Sequence, residues 1–300
     1  MKNILISGGT GFIGEHLIEY FRAIDQTLHL TVLVRSLDGL TPKTNVSYAL
    51  WDVEKQYIAP EVSTTIDTVI HLAGANVADG RWTAERKKVL LESRTKSGQL
   101  LVDWVKTKGK LVKTFISASG IGWYGEGLDG QVFTEDDASG NDFLSEVCRL
   151  WEASTQPLAQ EGVRLVYIRT GLVLDPAGGM WKAMQSAFAF RVAPRFGDGQ
   201  QVYSWIALQD IVRLYVFAAQ NPDVHGPLNA VSPHPLTQLE VAKALVKKEG
   251  SFYVVFPIPA TLLKAALGEL SMELLKNAHV SAQKALSAGF VYAQPKITDL

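Results

Sequence analysis

Three glycines near the N-terminus, Gly8, Gly11 and Gly14 in "ISGGTGFIGEHL", have the spacing G-x-x-G-x-x-G, and Gly9, Gly11 and Gly14 also fit G-x-G-x-x-G. Either spacing suits one kind of chemistry. A tight turn needs a residue without a Cβ, a backbone that cradles phosphates must approach them closely, and the following helix must pack hard on the preceding strand. The free N–H groups and positive dipole end of that helix then face the anion. The context agrees. "NILIS" before the loop reads as a strand, and "FIGEHLIEYFRAI" after it carries apolar residues at helical spacing.

The end of the second strand chooses between dinucleotides. An acidic residue about 20 positions beyond the glycines holds the ribose hydroxyls of NAD. Here the strand ends "VLVRS", with Arg35 and Ser36. A guanidinium fork pairs with a 2′-phosphate and a serine adds a hydroxyl, so NADP (NADPH) is the expected cofactor. Asp38, in the loop beyond, is the rival anchor for NAD.

These residues need a scaffold. "LHLTVLVR", "DTVIHLAG", "KTFISAS" and "VRLVYIRTGLVL" are β-rich runs, and "WTAERKKVLLESRTKSGQLLVDWVK" is a long helical stretch between the second and third of them. Strands alternating with helices of this length predict an α/β fold: a Rossmann-type, doubly wound parallel sheet covered on both faces. Turn-rich "DPAGGM" and "PRFGDGQ" break the alternation after Leu174. Residues 1–174 are therefore expected to form the nucleotide-binding domain, and 175–300 a smaller C-terminal lobe over the sheet. A substrate would bind between the lobe and the strand ends.

Composition narrows the classes. Twenty-nine Lys and Arg against 30 Asp and Glu leave no net field to recruit nucleic acid or an anionic membrane. A single cysteine, Cys148, rules out an internal disulfide framework, and six scattered histidines, His71 among them, show no metal-ligand spacing. No metal is expected. The apolar run in "MKNILISGG" is too short for a signal peptide, so the expected location is the cytoplasm.

With "HLAGANV" after the fourth strand and "SASGIGWYG" after the fifth, "GGTGFIG" resembles the extended short-chain dehydrogenase/reductase superfamily. "GRWTAERKKVLLESR", "FLSEVCRLWE", "GDGQQVYSWIALQDIV", "LNAVSPHPLTQLEVAKAL" and "ALSAGFVY" narrow the resemblance to its atypical YfcH-type branch, the epimerase family. The resemblance implies that Gly8, Thr10, Gly11, Phe12, Ile13 and Gly14 line the pyrophosphate and that Arg35 and Ser36 hold the adenosine phosphate. It places Asp52 and Val53 at the adenine, and Leu72, Ala73 and Gly74 under the ribose. Arg94 matches a position reaching the cofactor, and Val173 one near the nicotinamide.

The resemblance also exposes a gap. In the superfamily a Tyr-x-x-x-Lys pair occupies one face of the helix after the fifth strand, where the lysine lowers the tyrosine pKa for proton transfer. "NDFLSEVCRLWE" contains neither residue. Anchored on its "WE", Leu144 and Cys148 stand in the tyrosine and lysine positions, on an apolar stripe with Val147 and Trp151. "YAQPK" at Tyr292–Lys296 matches the letters only, because a proline before the lysine disrupts a helix. Ser119, which resembles the serine that bonds the reacting oxygen, and Tyr124 of "WYG" are the candidate substitutes. In the later lobe Arg195, Gln201, Tyr203 and Trp205 are candidates to face a ligand. Two main readings stand: an NADP-dependent oxidoreductase or epimerase with a rebuilt proton relay acting on a small molecule, or a sensor or scaffold that binds the nucleotide without turnover.

Overall fold

Buried apolar runs at the N-terminus set the centre of the sheet. Ile4, Leu5 and Ile6 are all fully buried in β1 (Asn3–Ser7), because neighbouring strands flank it and helices cover both faces. The computed structural model describes residues 1–250 and 252–300. After β1 come α1 (Phe12–Ile24), β2 (His29–Val34), β3 (Val46–Asp52), the short β4 (Tyr57–Ile58) and β5 (Thr68–His71). The long α2 (Ala84–Thr107), β6 (Thr114–Gly120), α3 (Phe143–Thr155), β7 (Arg164–Thr170) and β8 (Leu172–Asp175) follow.

The later chain supplies α4 (Gly179–Ala189), β9 (Val192–Phe196), β10 (Val202–Tyr203), β11 (Trp205–Ala207), α5 (Leu208–Gln220) and β12 (Gly226–Ala230). It ends with β13 (Leu236–Thr237), α6 (Gln238–Glu249), β14 (Val254–Ile258), α7 (Ala260–Leu267), α8 (Ser271–Leu275) and α9 (Gln283–Ser287).

Eight strands form the main sheet in the order β12-β7-β6-β5-β1-β2-β3-β4, parallel throughout except for β4. The order reverses between β1 and β5, which places the ligand crevice at the carboxyl ends of those two strands. On one face α1 and α5 bury Leu17, Phe21, Ile211 and Tyr215. On the other, α2 buries Leu101, Trp104 and Val105. A third core gathers Trp181, Phe188, Trp205, Val241 and Leu245 from α4, β11 and α6.

Two segments differ in detail from their reading in the sequence. "VRLVYIRTGLVL" reads as one strand but folds as two, β7 in the main sheet and β8 paired with β11. Gly171 makes the break: a Cβ there would lie 2.4 Å from the Ser204 carbonyl oxygen, so only glycine lets the chain change sheets so close to β11. The main sheet also takes a strand, β12, and a covering helix, α5, from the chain beyond Leu174. "FPIPATLLKAALGELSMELL", whose spacing reads as a proline-punctuated helical region, begins inside β14, with Pro257 in a two-stranded sheet at its edge.

Candidate functional site

The glycine loop is built by contact. Gly8 has φ +73°, and a Cβ there would lie 2.8 Å from the Ala73 nitrogen, so the loop and the end of β5 pass backbone to backbone. A Cβ on Gly14 would sit 2.3 Å from the Gly8 carbonyl oxygen; its absence lets α1 start against the strand. Gly11 precedes α1 as its N-cap and has no side chain to cap it, and the first intrahelical bond runs from the Glu15 N–H to the Gly11 oxygen. The N–H groups of Phe12, Ile13 and Gly14 therefore lack helical partners, and Thr10 and Gly11 are exposed beside them. That arrangement fits a pyrophosphate. Phe12 packs on Gly178, where a Cβ would fall 2.4 Å from its ring, so the turn before α4 abuts the loop.

Arg35 and Ser36 follow β2, both exposed. Arg35 has no hydrogen bond or ion pair among the described residues. The Ser36 hydroxyl donates to Asp38 Oδ2 at 3.0 Å, which ties the rival carboxylate to the serine that follows Arg35. Asp52 closes β3 and accepts from the Lys55 N–H at 3.1 Å, which holds its carboxyl below the usual range. Val53 and Ala73 pack on the α2 side of the sheet, Leu72 and Val173 on the α1 side.

Helix α3 comes tightly onto glycine backbone. A Cβ on Gly122 would lie 3.0 Å from Leu144 Cβ, and one on Gly120 or Gly122 would lie 3.6 Å from Cys148 Sγ. The tyrosine and lysine positions are thus filled by an apolar side chain and a thiol. Burial pushes that thiol up to about 11, and the Glu152 charge adds to the shift. Cys148 is neutral near pH 7 and a poor nucleophile. Arg94 of α2 enters the same region. It is 7% exposed, lies over the Trp151 ring at 4.7 Å and donates from Nη1 to the Leu90 carbonyl at 2.9 Å. Burial draws its guanidinium down to about 10, still charged at neutral pH.

Both candidate catalytic hydroxyls donate to the protein itself. Ser119 Oγ donates to Glu152 Oε1 at 2.8 Å, and Glu152 is bound by Arg169 through Nε at 2.9 Å and Nη2 at 3.1 Å. Tyr124 donates to Asn229 Oδ1 at 2.7 Å and accepts from Arg169 Nη1 at 3.1 Å. Glu135 closes the group by accepting from the Asn229 N–H at 2.8 Å. Burial pushes the Tyr124 phenol up to about 12, against the pull of Arg169. Burial opposes the charge of Arg169, but the hydrogen bonds and charge of Glu152 outweigh it and leave the guanidinium above its ordinary range. Arg169 also lies 3.8 Å over the Trp123 ring. Sequence reading missed Glu152, Arg169, Asn229 and Glu135 as a group, because they come from four segments and no local spacing joins them.

The candidates of the later lobe divide. Trp205 Nε1 donates to the His234 carbonyl, Tyr203 to the Leu274 carbonyl, and Gln201 to the carbonyls of Phe196 and Leu274. These three tie the lobe together. Arg195 differs: its Nε is buried without a partner among the described residues. His71 is fully buried between the Ser7 and Ser97 hydroxyls, and burial holds it neutral, at about 3. Tyr292 of "YAQPK" donates to the Val231 carbonyl and lies outside any helix. No group of three or more potential metal ligands occurs among the described residues, and none of their helices is long and apolar enough to cross a membrane.

A sheet reversed at β1 and β5, with a glycine loop at the reversal, is shared by a large group of proteins, and comparison with known families resolves which. The profile of the NAD dependent epimerase/dehydratase family matches residues 4–231. The chain belongs to that family. A domain of unknown function, DUF1731, matches residues 258–299. Among epimerase family proteins, Mb2239 of Mycobacterium bovis is 35% identical over 290 residues, 96% of this chain and 93% of the relative. YfhF of Bacillus subtilis is 33% identical over 290 residues, with the same shares of 96% and 93%. The crystal structure of human epimerase family protein SDR39U1 (isoform 2) with NADPH matches with a TM-score of 0.87 at 26% identity, covering 99% of this chain and 97% of that one. A UDP-glucose 4-epimerase of Thermus thermophilus in complex with NAD, at 21% identity and a TM-score of 0.73, shares the epimerase fold.

Proposed function

We propose that this epimerase-family protein binds NADP(H) in the cleft at the ends of β1 and β5, with Arg35 selecting the 2′-phosphate. The observation that carries the reading is the uncapped start of α1 at Gly11, with three N–H groups lacking helical partners and the unpaired Arg35 at the next strand end. Support comes from the NADPH-bound human relative. Gly8, Thr10, Gly11, Phe12, Ile13 and Gly14 hold the pyrophosphate, Arg35 and Ser36 the adenosine phosphate, Asp52 and Val53 the adenine, and Leu72, Ala73 and Gly74 the ribose side. Arg94 and Val173 close the nicotinamide end. When bound, the nicotinamide supplies hydride transfer.

In this reading Ser119 and Tyr124 position the site rather than exchange protons, because both hydroxyls are bonded inside a buried network. Turnover as an oxidoreductase or epimerase on a small molecule is a second reading. The match of the NAD dependent epimerase/dehydratase family over residues 4–231 favours it.

The test is fluorescence titration with NADPH and NADH, wild type beside Arg35→Ala. The expected result is a preference for NADPH that the variant loses, by roughly 10- to 100-fold for a charge-assisted contact. Binding of neither dinucleotide by the wild type overturns the reading.

A further inference from the structure

The two-stranded sheet of β9 and β14 is finished along one edge and open along the other. On the β9 side the Phe196 N–H donates to Gln238 Oε1 at 3.0 Å, and Gln238 Nε2 donates to the Pro194 carbonyl at 2.9 Å. Gln201 Nε2 adds a bond to the Phe196 carbonyl at 3.3 Å. Two glutamine side chains thus stand in for a third strand. The β14 side has no such cover. This strand runs parallel to β9 with Val254 opposite Val192. The Val254 N–H donates to the Arg191 carbonyl at 2.8 Å, and the Ile258 carbonyl accepts from the Gly197 N–H at 3.0 Å. Residues 254, 256 and 258 therefore turn their backbone groups toward β9, and Tyr253, Val255 and Pro257 turn theirs away. None of these outward groups is bonded among the described residues.

An open edge is a template for another strand. The side chains along this one are apolar: Phe252 is 78% exposed, Val254 54% and Phe256 57%. They alternate with Tyr253 and Val255, which pack on the third core. From Phe252 to Leu263 the chain carries no charged residue, so a second copy of the same segment brings no like charge to the contact. Pro257 sets a limit. It occupies an outward position with no N–H to give, so pairing does not run the whole length of the strand.

We propose that β14 is a self-association edge, and that its partner is β14 of a second copy, antiparallel across a two-fold axis at Val254. In that register Tyr253 pairs with Val255 of the other copy, and Val255 with Tyr253 of the other copy. Each pair exchanges both N–H···O=C bonds, and Pro257 lies outside the paired residues. Phe252 then stands opposite Phe256 of the other copy on the exposed face, as a cross-strand aromatic pair. The two-fold uses each open edge once, so the assembly closes at two copies and does not grow into a fibre. Phe252, Val254 and Phe256 together expose roughly 350 Å² per copy. With the strand backbones the contact lies near ~1,000 Å², the lower end for specific interfaces, and the dimer is correspondingly weak.

Sedimentation velocity of the full chain over roughly 1–200 μM tests this. The expected result is a shift from 32.8 kDa toward twice that mass as concentration rises. Val254→Lys sets two ammonium groups against each other on the axis and is expected to weaken the dimer by roughly tenfold or more. Its melting temperature should match wild type, because the side chain is exposed. The register has its own readout. The two copies of residue 254 form a non-hydrogen-bonded pair, whose Cα separation of about 4.5 Å suits a disulfide. Val254→Cys is expected to give a cross-linked dimer on mild oxidation, and Val255→Cys, which faces the core, is not. Cys148 is buried and does not compete. Should Val254→Lys fail to fold, the two cysteine variants decide alone. Wild type that stays at 32.8 kDa across the range overturns the proposal. A dimer that a folded Val254→Lys leaves intact overturns it too, because another surface then holds the copies together. Cross-linking at position 255 but not at 254 does the same.

Discussion

Ser119 Oγ donates to Glu152 Oε1 at 2.8 Å, and the same carboxylate oxygen receives the Arg169 Nε at 2.9 Å. A hydroxyl has one proton to donate. With that proton directed at Glu152, Ser119 would have to turn from the carboxylate to donate to a substrate carbonyl, the task that the resemblance implies for it. The serine therefore belongs to the buried polar group that includes Tyr124, Asn229 and Glu135.

The Glu152–Arg169 pair is expected to matter for folding more than for cofactor. Arg169→Met leaves the buried Glu152 unpaired, a change that typically destabilises by about 3–5 kcal/mol. Replacing both residues, Glu152→Leu with Arg169→Met, should recover much of that loss. Urea unfolding followed by circular dichroism measures both, and a single variant as stable as wild type would contradict the assignment.

Gly14→Ala puts a Cβ 2.3 Å from the Gly8 carbonyl oxygen and 2.7 Å from the Gly9 Cα. Backbone on both sides leaves it nowhere to go, so α1 must move away from β1. Overpacking of this kind costs about 1–3 kcal/mol. A lower melting temperature together with lost NADPH affinity is expected. Unchanged values of both would show that the loop is looser than its contacts imply.

His71 sets a pH dependence. Its folded value, about 3, lies below the ordinary 6.5 because burial disfavours the charged ring. Between those values the unfolded chain binds a proton that the folded one does not, so stability falls as pH drops through 6.5. Between pH 7.5 and pH 5.5 the loss from this residue is about 1.4 kcal/mol. His71→Asn should flatten the dependence over that interval, as read from unfolding midpoints at each pH.

Cys148 should resist modification. Its thiol is buried and pushed up to about 11, so Ellman's reagent is expected to react with the native protein only as fast as the protein opens, and immediately in denaturant. Rapid labelling under native conditions would place the thiol in an accessible cleft instead.

The glycine loop and the parallel sheet were legible in the residues because their requirements are local. Seven residues hold Gly8, Gly11 and Gly14, and the steric need for each is decided within that loop and the elements beside it. The alternation of strands and helices likewise needs only short windows. The absence of a Tyr-x-x-x-Lys pair from α3 could also be read directly, since one helix face carries it. Tertiary structure alone decided the rest. Ser119 meets Glu152 across 33 residues, Tyr124 meets Asn229 across 105, and β12 joins β7 although β8 to β11 and two helices intervene in the chain. Nothing in the spacing of a single segment reveals which distant side chain will take a hydroxyl's proton. Arg94 shows the same limit: its type and helix are plain in the sequence, but only the packing of α2 on α3 brings its charge beside Cys148.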